Sequence, residues 1–280
     1  MDRIITVNTL AYQGYDLPTA LEEISELGIG YVELAFLATY GEIFAEQDFS
    51  MSNASKLRGM LSDYDLHSVA LSAHMDLGTP QSVPAFQQRM EFAREIGTRI
   101  IHTNASQLSR ETTFFKNMEL LARFAEPMGM IIALENPGDG QHNIITSGET
   151  GASVMRKIGS QFVKLNYDVC NAFSYSKTTI KPEEDFKHAL PFAAHLHLKD
   201  MKPREGGWAF SQIGEGVINY RPILEYLSRT GQNLPMSIEL PLKLRRDEAF
   251  NLQEEPSTLD LPEIRRVLEG SLKFIEEHIV

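Results

Sequence analysis

The sequence predicts an α/β protein built as one (β/α)8 barrel over residues 1–280, and three observations carry that prediction. Short apolar runs alternate with amphipathic segments at an interval of about 35 residues, which divides the 280-residue chain into eight units. Four of the later runs stop on a side chain that no core needs: 130–134 on Glu135, 162–167 on Asp168, 193–196 on His197 and 236–238 on Glu239. Polar side chains brought by different strands to one end are the product of a parallel barrel, whose sites lie at the carboxyl ends of its strands. Hydrophobic residues make up 42% of the chain, enough for a large core, and barrels of about 250 residues commonly form one domain.

The units follow in order. A strand over 4–8 leads to a helix that starts at Asp16, an N-cap before Leu17-Pro18, and stops at Gly28. A strand over 31–34 precedes a helix over about 52–64, whose Ala54, Leu57, Met60 and Leu61 fall at helical spacing. The third strand, 67–72, is followed by a helix capped near Ser82 that carries Phe86, Met90, Ala93 and Ile96 and ends at Gly97. The fourth, 99–102, feeds the longest helix, 109–128, closed by Pro127 and Gly129.

After the strand ending at Glu135, the stretch 136–143 is dense in turn formers and is expected to overhang the site; a helix over 147–158 follows. The strand ending at Asp168 leads into a loop to residue 181 and a short helix over 182–190, with Pro182 well placed in its first turn. The seventh strand then leads to a long loop over 200–218, with Asn219 as a cap for a helix to Thr230. The eighth strand, 236–238, is followed by a polar, charge-mixed stretch over 243–260 and a closing helix over 262–278.

Composition narrows the function classes. A net charge of -12 repels a phosphate backbone, so no nucleic-acid partner is expected, and small neutral or cationic ligands fit better. Cys170 is the only cysteine, so no internal disulfide forms, and the first residues lack the apolar core of a signal peptide. No run approaches the roughly 18 apolar residues of a membrane span. The expectation is a cytoplasmic protein with no membrane partner.

Glu135, Asp168, His197 and Glu239 make a set of three carboxylates and one imidazole. Hard oxygen ligands with a single nitrogen favour Mn²⁺, with Mg²⁺, Co²⁺ or Zn²⁺ as alternatives, over a closed structural zinc site built on cysteines. Each residue taken alone reads equally as a strand cap or a lysine partner. Four of them at strand ends read as a metal centre.

At these positions the sequence resembles the xylose isomerase-like TIM barrel superfamily, the group of sugar isomerases and epimerases, inosose-processing enzymes and endonuclease IV. The resemblance rests on Tyr31-Val32-Glu33-Leu34, Leu134-Glu135-Asn136, Tyr167-Asp168 with Asn171, His195-Leu196-His197-Leu198-Lys199-Asp200, Ile213-Gly214-Glu215-Gly216 and Ile238-Glu239. It implies a divalent-metal-dependent epimerase or isomerase of a sugar or keto-sugar, in which Glu135 and Glu239 bind the ion and exchange the substrate proton on opposite faces. In the ketose 3-epimerases a His stands where this chain has Asn171, and an Arg stands where it has Pro203, one residue before Arg204. Asn171 can hydrogen-bond a hydroxyl but cannot act as an acid.

Alternatives stay open: a lyase or dehydratase such as the 3-dehydroshikimate dehydratases or enzymes of 3-keto-glycosides, an endonuclease IV-like repair enzyme, and a sugar-binding barrel without catalysis. His74 follows strand three and His102 ends strand four, and both are candidates for substrate contact or plain rim residues. Glu33 is a substrate contact or, more simply, an acceptor that orients a ligand. Lys199 and Asp200 polarise a carbonyl or pair with each other, and Arg204 is the substitute for the missing arginine. Trp208 and Phe210 stack on a sugar, plug the loop or join a homo-oligomer. Gly214 and Gly216 cradle a phosphate or simply turn the chain.

Overall fold

Eight parallel strands close on themselves in the computed structural model, which describes residues 3–36, 46–137 and 142–279. The chain runs through β1 (Ile5–Asn8), β2 (Tyr31–Phe36), β3 (His67–Ala73), β4 (Ile100–Asn104), β5 (Ile131–Glu135), β6 (Val163–Asp168) and β7 (Ala193–Leu198). Two further strands, β8 (Asp200–Arg204) and β9 (Gly207–Ser211), intervene before the last barrel strand, β10 (Met236–Ile238). The barrel order is β1-β10-β7-β6-β5-β4-β3-β2, so the eighth barrel strand closes against the first through Ile5–Met236 and Val7–Ile238. This is the (β/α)8 TIM barrel that the spacing predicts.

Helices α1 (Leu17–Glu26), α2 (Met51–Asp63), α3 (Ser82–Glu95), α4 (Glu111–Ala125) and α5 (Gly148–Ile158) follow the first five strands. Their ends are written in the sequence. Asp16 accepts from the Thr19 amide and Ser50 from that of Asn53, while Ser147 and Thr150 make a reciprocal capping box. Gly129 and Gly159 end their segments in the left-handed conformation. The inner residues of β5, Ile132, Ala133 and Leu134, are fully buried, as expected of a parallel strand covered on both faces.

The remaining helices are α6 (Val169–Tyr175), α7 (Pro182–Ala189), α8 (Arg221–Arg229) and α9 (Leu261–His278). Here the structure departs from the expectation in three places. The residues after Asp168 are not loop but α6, because the Asp168 carboxylate caps it by accepting from the Asn171 amide at 2.7 Å. The presumed loop over 200–218 and polar stretch over 243–260 supply β8, β9, β11 (Leu244–Asp247) and β12 (Leu252–Glu254), joined in an antiparallel sheet of order β12-β11-β9-β8. Polar alternation there reflects one solvated face rather than absence of structure. Helix α8 is entered through Tyr220, not Asn219. The expected overhang at 136–143 lies partly outside the described residues, which omit 138–141.

Candidate metal centre

Alternation along the strands aims the polar residues. In β7, His195 and His197 are two apart and so share a face, as do Asn166 and Asp168 in β6, and all four are fully buried inside the barrel. Pairing slips by one residue at two points, where Val69 of β3 is the extra residue opposite Val32–Glu33 and Ala194 of β7 the extra residue opposite Leu165–Asn166.

Glu135, Asp168, His197 and Glu239 come together at the carboxyl ends of β5, β6, β7 and β10, with one ligand atom from each lying within 4.8 Å of the others. Nδ1 of His197 is 3.1 Å from Glu239 Oε2, 3.5 Å from Glu135 Oε1 and 3.9 Å from Asp168 Oδ2. His197 Nδ1 makes no hydrogen bond, while Asp168 Oδ2 and Glu239 Oε2 face the His197 ring and one lysine ammonium. Three buried carboxylates gathered around one imidazole nitrogen, with a single lysine to offset them, make a donor set that fits a divalent cation.

The surroundings fix each member. Lys199 Nζ sits 2.8 Å from Asp168 Oδ2 and 2.6 Å from Glu239 Oε2, so it pairs with the cluster and not with Asp200. Glu135 receives Asn171 Nδ2 at 3.0 Å on Oε1 and faces His74 Nε2 at 3.1 Å on Oε2. Asn136 braces β6 by donating to the Asp168 carbonyl and accepting from its amide. Glu33, fully buried below the cluster, accepts on Oε1 from Asn8 Nδ2 at 2.9 Å, Ser72 Oγ at 2.5 Å and His102 Nδ1 at 3.2 Å. It also lies 2.9 and 3.1 Å from His197 Nε2. The carboxylate therefore holds a proton on Nε2, which leaves Nδ1 as the ring nitrogen that faces the cluster.

Charge states follow from burial set against neighbours. Burial works to lower His197, but Glu239, Glu33 and Glu135 outweigh it and hold the imidazole well above the usual histidine range. Burial works to raise Glu135, yet His197 and His74 keep it well below the usual carboxylate range. Glu239 is lowered likewise, by His197 and Lys199 against burial. Asp168 goes the other way: burial pushes it up to about 6, with Lys199 offsetting part of the effect.

The other residues singled out in the sequence divide. His74 and Asn171 reach the cluster through Glu135. His102 does not sit at the rim: it is fully buried beneath the cluster, its ring 4.4 Å from that of His195. Glu33 has the geometry of an orienting acceptor and is sealed from any substrate. Arg204 does not reach the cluster; it ends β8, half exposed, in an ion pair with Glu255. The amides of Gly214 and Gly216 are already taken, each donating at 3.0 Å to Oδ2 of Asp200. Trp208 stacks on Phe250 at 5.3 Å and meets Phe173 edge-on at 5.7 Å. Sequence reasoning missed Asn8, Ser72, Asn166 and His195; for the last two the signal was the spacing of two residues from Asp168 and His197.

Residues 21–260 match the model of a family described as xylose isomerase-like TIM barrel. No curated protein matches the sequence. Among solved structures the chain is similar to a D-psicose 3-epimerase in the presence of D-fructose, at 12% identity and a TM-score of 0.75, with 99% of each chain covered. It is also similar to a probable 3-DHS dehydratase involved in petrobactin synthesis from Bacillus anthracis, at 14% identity and a TM-score of 0.70, covering 98% of this chain and 99% of that one. A xylose isomerase-like TIM barrel protein from Mycobacterium smegmatis in complex with magnesium matches at 15% identity and a TM-score of 0.72, covering 99% and 98%. At such identities the likeness is one of fold.

Proposed function

We propose, for a chain that belongs to the xylose isomerase-like TIM barrel family, a divalent-metal-dependent epimerase or isomerase of a keto-sugar in which Glu135 and Glu239 are the paired proton carriers. One observation carries this reading. Glu135 and Glu239 meet the same His197 nitrogen, at 3.5 and 3.1 Å, from strands that flank β6 and β7 on opposite sides of the barrel arc. Two carboxylates that approach one point from different sides can address both faces of a planar carbon. The epimerase and dehydratase among the similar folds are compatible with that reading.

Glu135, Asp168, His197 and Glu239 would hold the ion, and the oxygen-rich donor set makes Mn²⁺ the first candidate, with Mg²⁺ or Co²⁺ behind it. When bound, a divalent ion chelating a carbonyl and its neighbouring hydroxyl acidifies the adjacent C–H and stabilises the enediolate. The chain does the proton work. Glu135 is kept ionised by His197 and His74, and Asn171 fixes its Oε1, so it is the carboxylate poised to accept a proton. Glu239 is held by Lys199 at 2.6 Å, which can pass it a proton or steady its charge. Return of the proton to the opposite face of the same carbon gives an epimer, and return to the neighbouring carbon gives an aldose–ketose isomerisation.

The test is a panel of ketoses, inososes, 3-keto-glycosides and 3-dehydroshikimate with Mn²⁺ in D₂O, followed by NMR. One deuterium at an inverted carbon supports the epimerase, and label at the adjacent carbon supports the isomerase. Loss of water or of an aglycone makes the protein a lyase, and no exchange with any substrate removes the proposal.

A further inference from the structure

The strand that carries His197 does not stop at the barrel. It runs on almost without a break from β7 into β8, so that His195, His197, Lys199, Met201 and Pro203 alternate onto one side. Register carries that side across the outer sheet: Pro203 lies opposite Trp208, and Trp208 opposite Arg246. Arg246 therefore sits on the face that continues from the metal cluster, while Lys202, Arg204 and Arg245 lie on the other face. Trp208 and Phe250 pack there on Phe173 of α6, the helix that Asp168 opens.

Arg246 is the odd member of this face. It is 6% exposed, yet among the described residues no carboxylate pairs with it. Its Nη1 is anchored on the Phe250 carbonyl at 2.8 Å, and its Nε has no hydrogen-bond partner. The Nε–Nη2 edge, the fork that takes two oxygens of an anion, is thus unused among the described residues. The other buried lysine and arginine side chains are engaged, Lys199 by Asp168 and Glu239 and Arg89 by Glu46. A buried charge without a partner is costly, and such charges are paired or serve a ligand. Through Trp208, which lies opposite it in register and packs on Phe173 of the helix that Asp168 opens, Arg246 is tied to the flank of the cluster.

We propose that Arg246 receives an anionic group, a carboxylate or a phosphate, on the substrate of the metal centre, so that this substrate is an acidic sugar derivative and not a neutral ketose. The inference rests on the function proposed above. The net charge of -12 does not oppose it, because long-range repulsion is screened while a contact with a buried guanidinium is not.

The experiment uses three unreactive probes on the Mn²⁺-loaded protein, read by calorimetry: a hexitol, its terminal phosphate and the matching hexonate. One of the two acidic probes is expected to bind at least ~10-fold tighter than the hexitol, the span of a charge-assisted hydrogen bond. Arg246→Gln should erase that preference, and Arg246→Lys, which keeps the charge without the fork, should keep part of it. Equal binding of all three probes by the native protein overturns the inference, and so does a preference that survives in Arg246→Gln. Phosphate favoured over hexonate, or the reverse, identifies the anion. The corresponding ketose, ketose phosphate and keto-acid in D₂O separate the two readings. Anion preference without proton exchange removes the reaction and leaves Arg246 in place; equal exchange of neutral and acidic substrates does the opposite.

Discussion

Replacing Glu33 with Gln probes how much of the metal centre is set from below. The side chain keeps its shape, and its oxygen can keep the Oε1 place with the donors Asn8 Nδ2 at 2.9 Å, Ser72 Oγ at 2.5 Å and His102 Nδ1 at 3.2 Å, so the fold should survive. The amide nitrogen then takes the Oε2 place, 3.1 Å from His197 Nε2, where a donor meets a donor, and only the oxygen at the Oε1 place, 2.9 Å away, still accepts from it. The negative charge that draws the proton onto Nε2 is lost as well. His197 becomes a poorer ligand through Nδ1, and Glu33→Gln should weaken Mn²⁺ binding by ~10–10²-fold, the usual cost of losing a partner behind a ligand. That corresponds to ~1.4–2.7 kcal/mol. Titration against a competing chelator reads the affinity, and ¹⁵N NMR of the imidazoles reads the tautomer. An affinity within about twofold of the native protein, with the Nε2–H tautomer retained, would refute the argument that Glu33 orients His197.

Four further outcomes are expected. Changing Glu135 or Glu239 to Gln should preserve the fold, weaken the ion and cost at least ~10² in the rate of solvent-deuterium exchange, because a positioned base typically supplies that much. Mn²⁺ affinity should rise with pH and then level off: the carboxylates raise His197 above the ordinary histidine range, its proton must leave before Nδ1 can ligate, and calorimetry in buffers of different ionisation enthalpy should show protons released. Gly216→Ala places a Cβ 2.1 Å from Asp200 Oδ1 and 2.5 Å from the Met201 carbonyl, so thermal melts should show a loss of ~1–3 kcal/mol; an unchanged melting temperature would mean the loop relaxes freely. With a net charge of -12, the protein should neither bind nor nick abasic-site duplex at physiological salt, and metal-dependent nicking in a gel assay would reverse that ranking.

What the sequence determined by itself is the barrel and the meeting of its four strand ends. Eight apolar runs with helices between them admit few topologies, and a strand that stops on Glu135 or Asp168 must deliver that side chain to the carboxyl-terminal rim. Capping is local chemistry, so Asp16 and Ser147 were legible as helix starts, while the helix capped by Ser50 was read as starting near Ser52. The second sheet was not legible, because β9, which carries β8 beside it, is anchored by pairing with β11, some forty residues further on, and polar alternation read one strand at a time looks like loop. The tertiary structure alone decided which nitrogen of His197 faces the cluster. That choice belongs to Glu33, 164 positions away in the chain and brought beneath the imidazole by barrel closure. It also decided that Arg204, adjacent in sequence to the expected site, pairs outward with Glu255, while Arg246 lies buried on the face above the cluster. Spacing along one strand tells which side chains share a face; which cation is left without an anion depends on charges gathered from the whole chain.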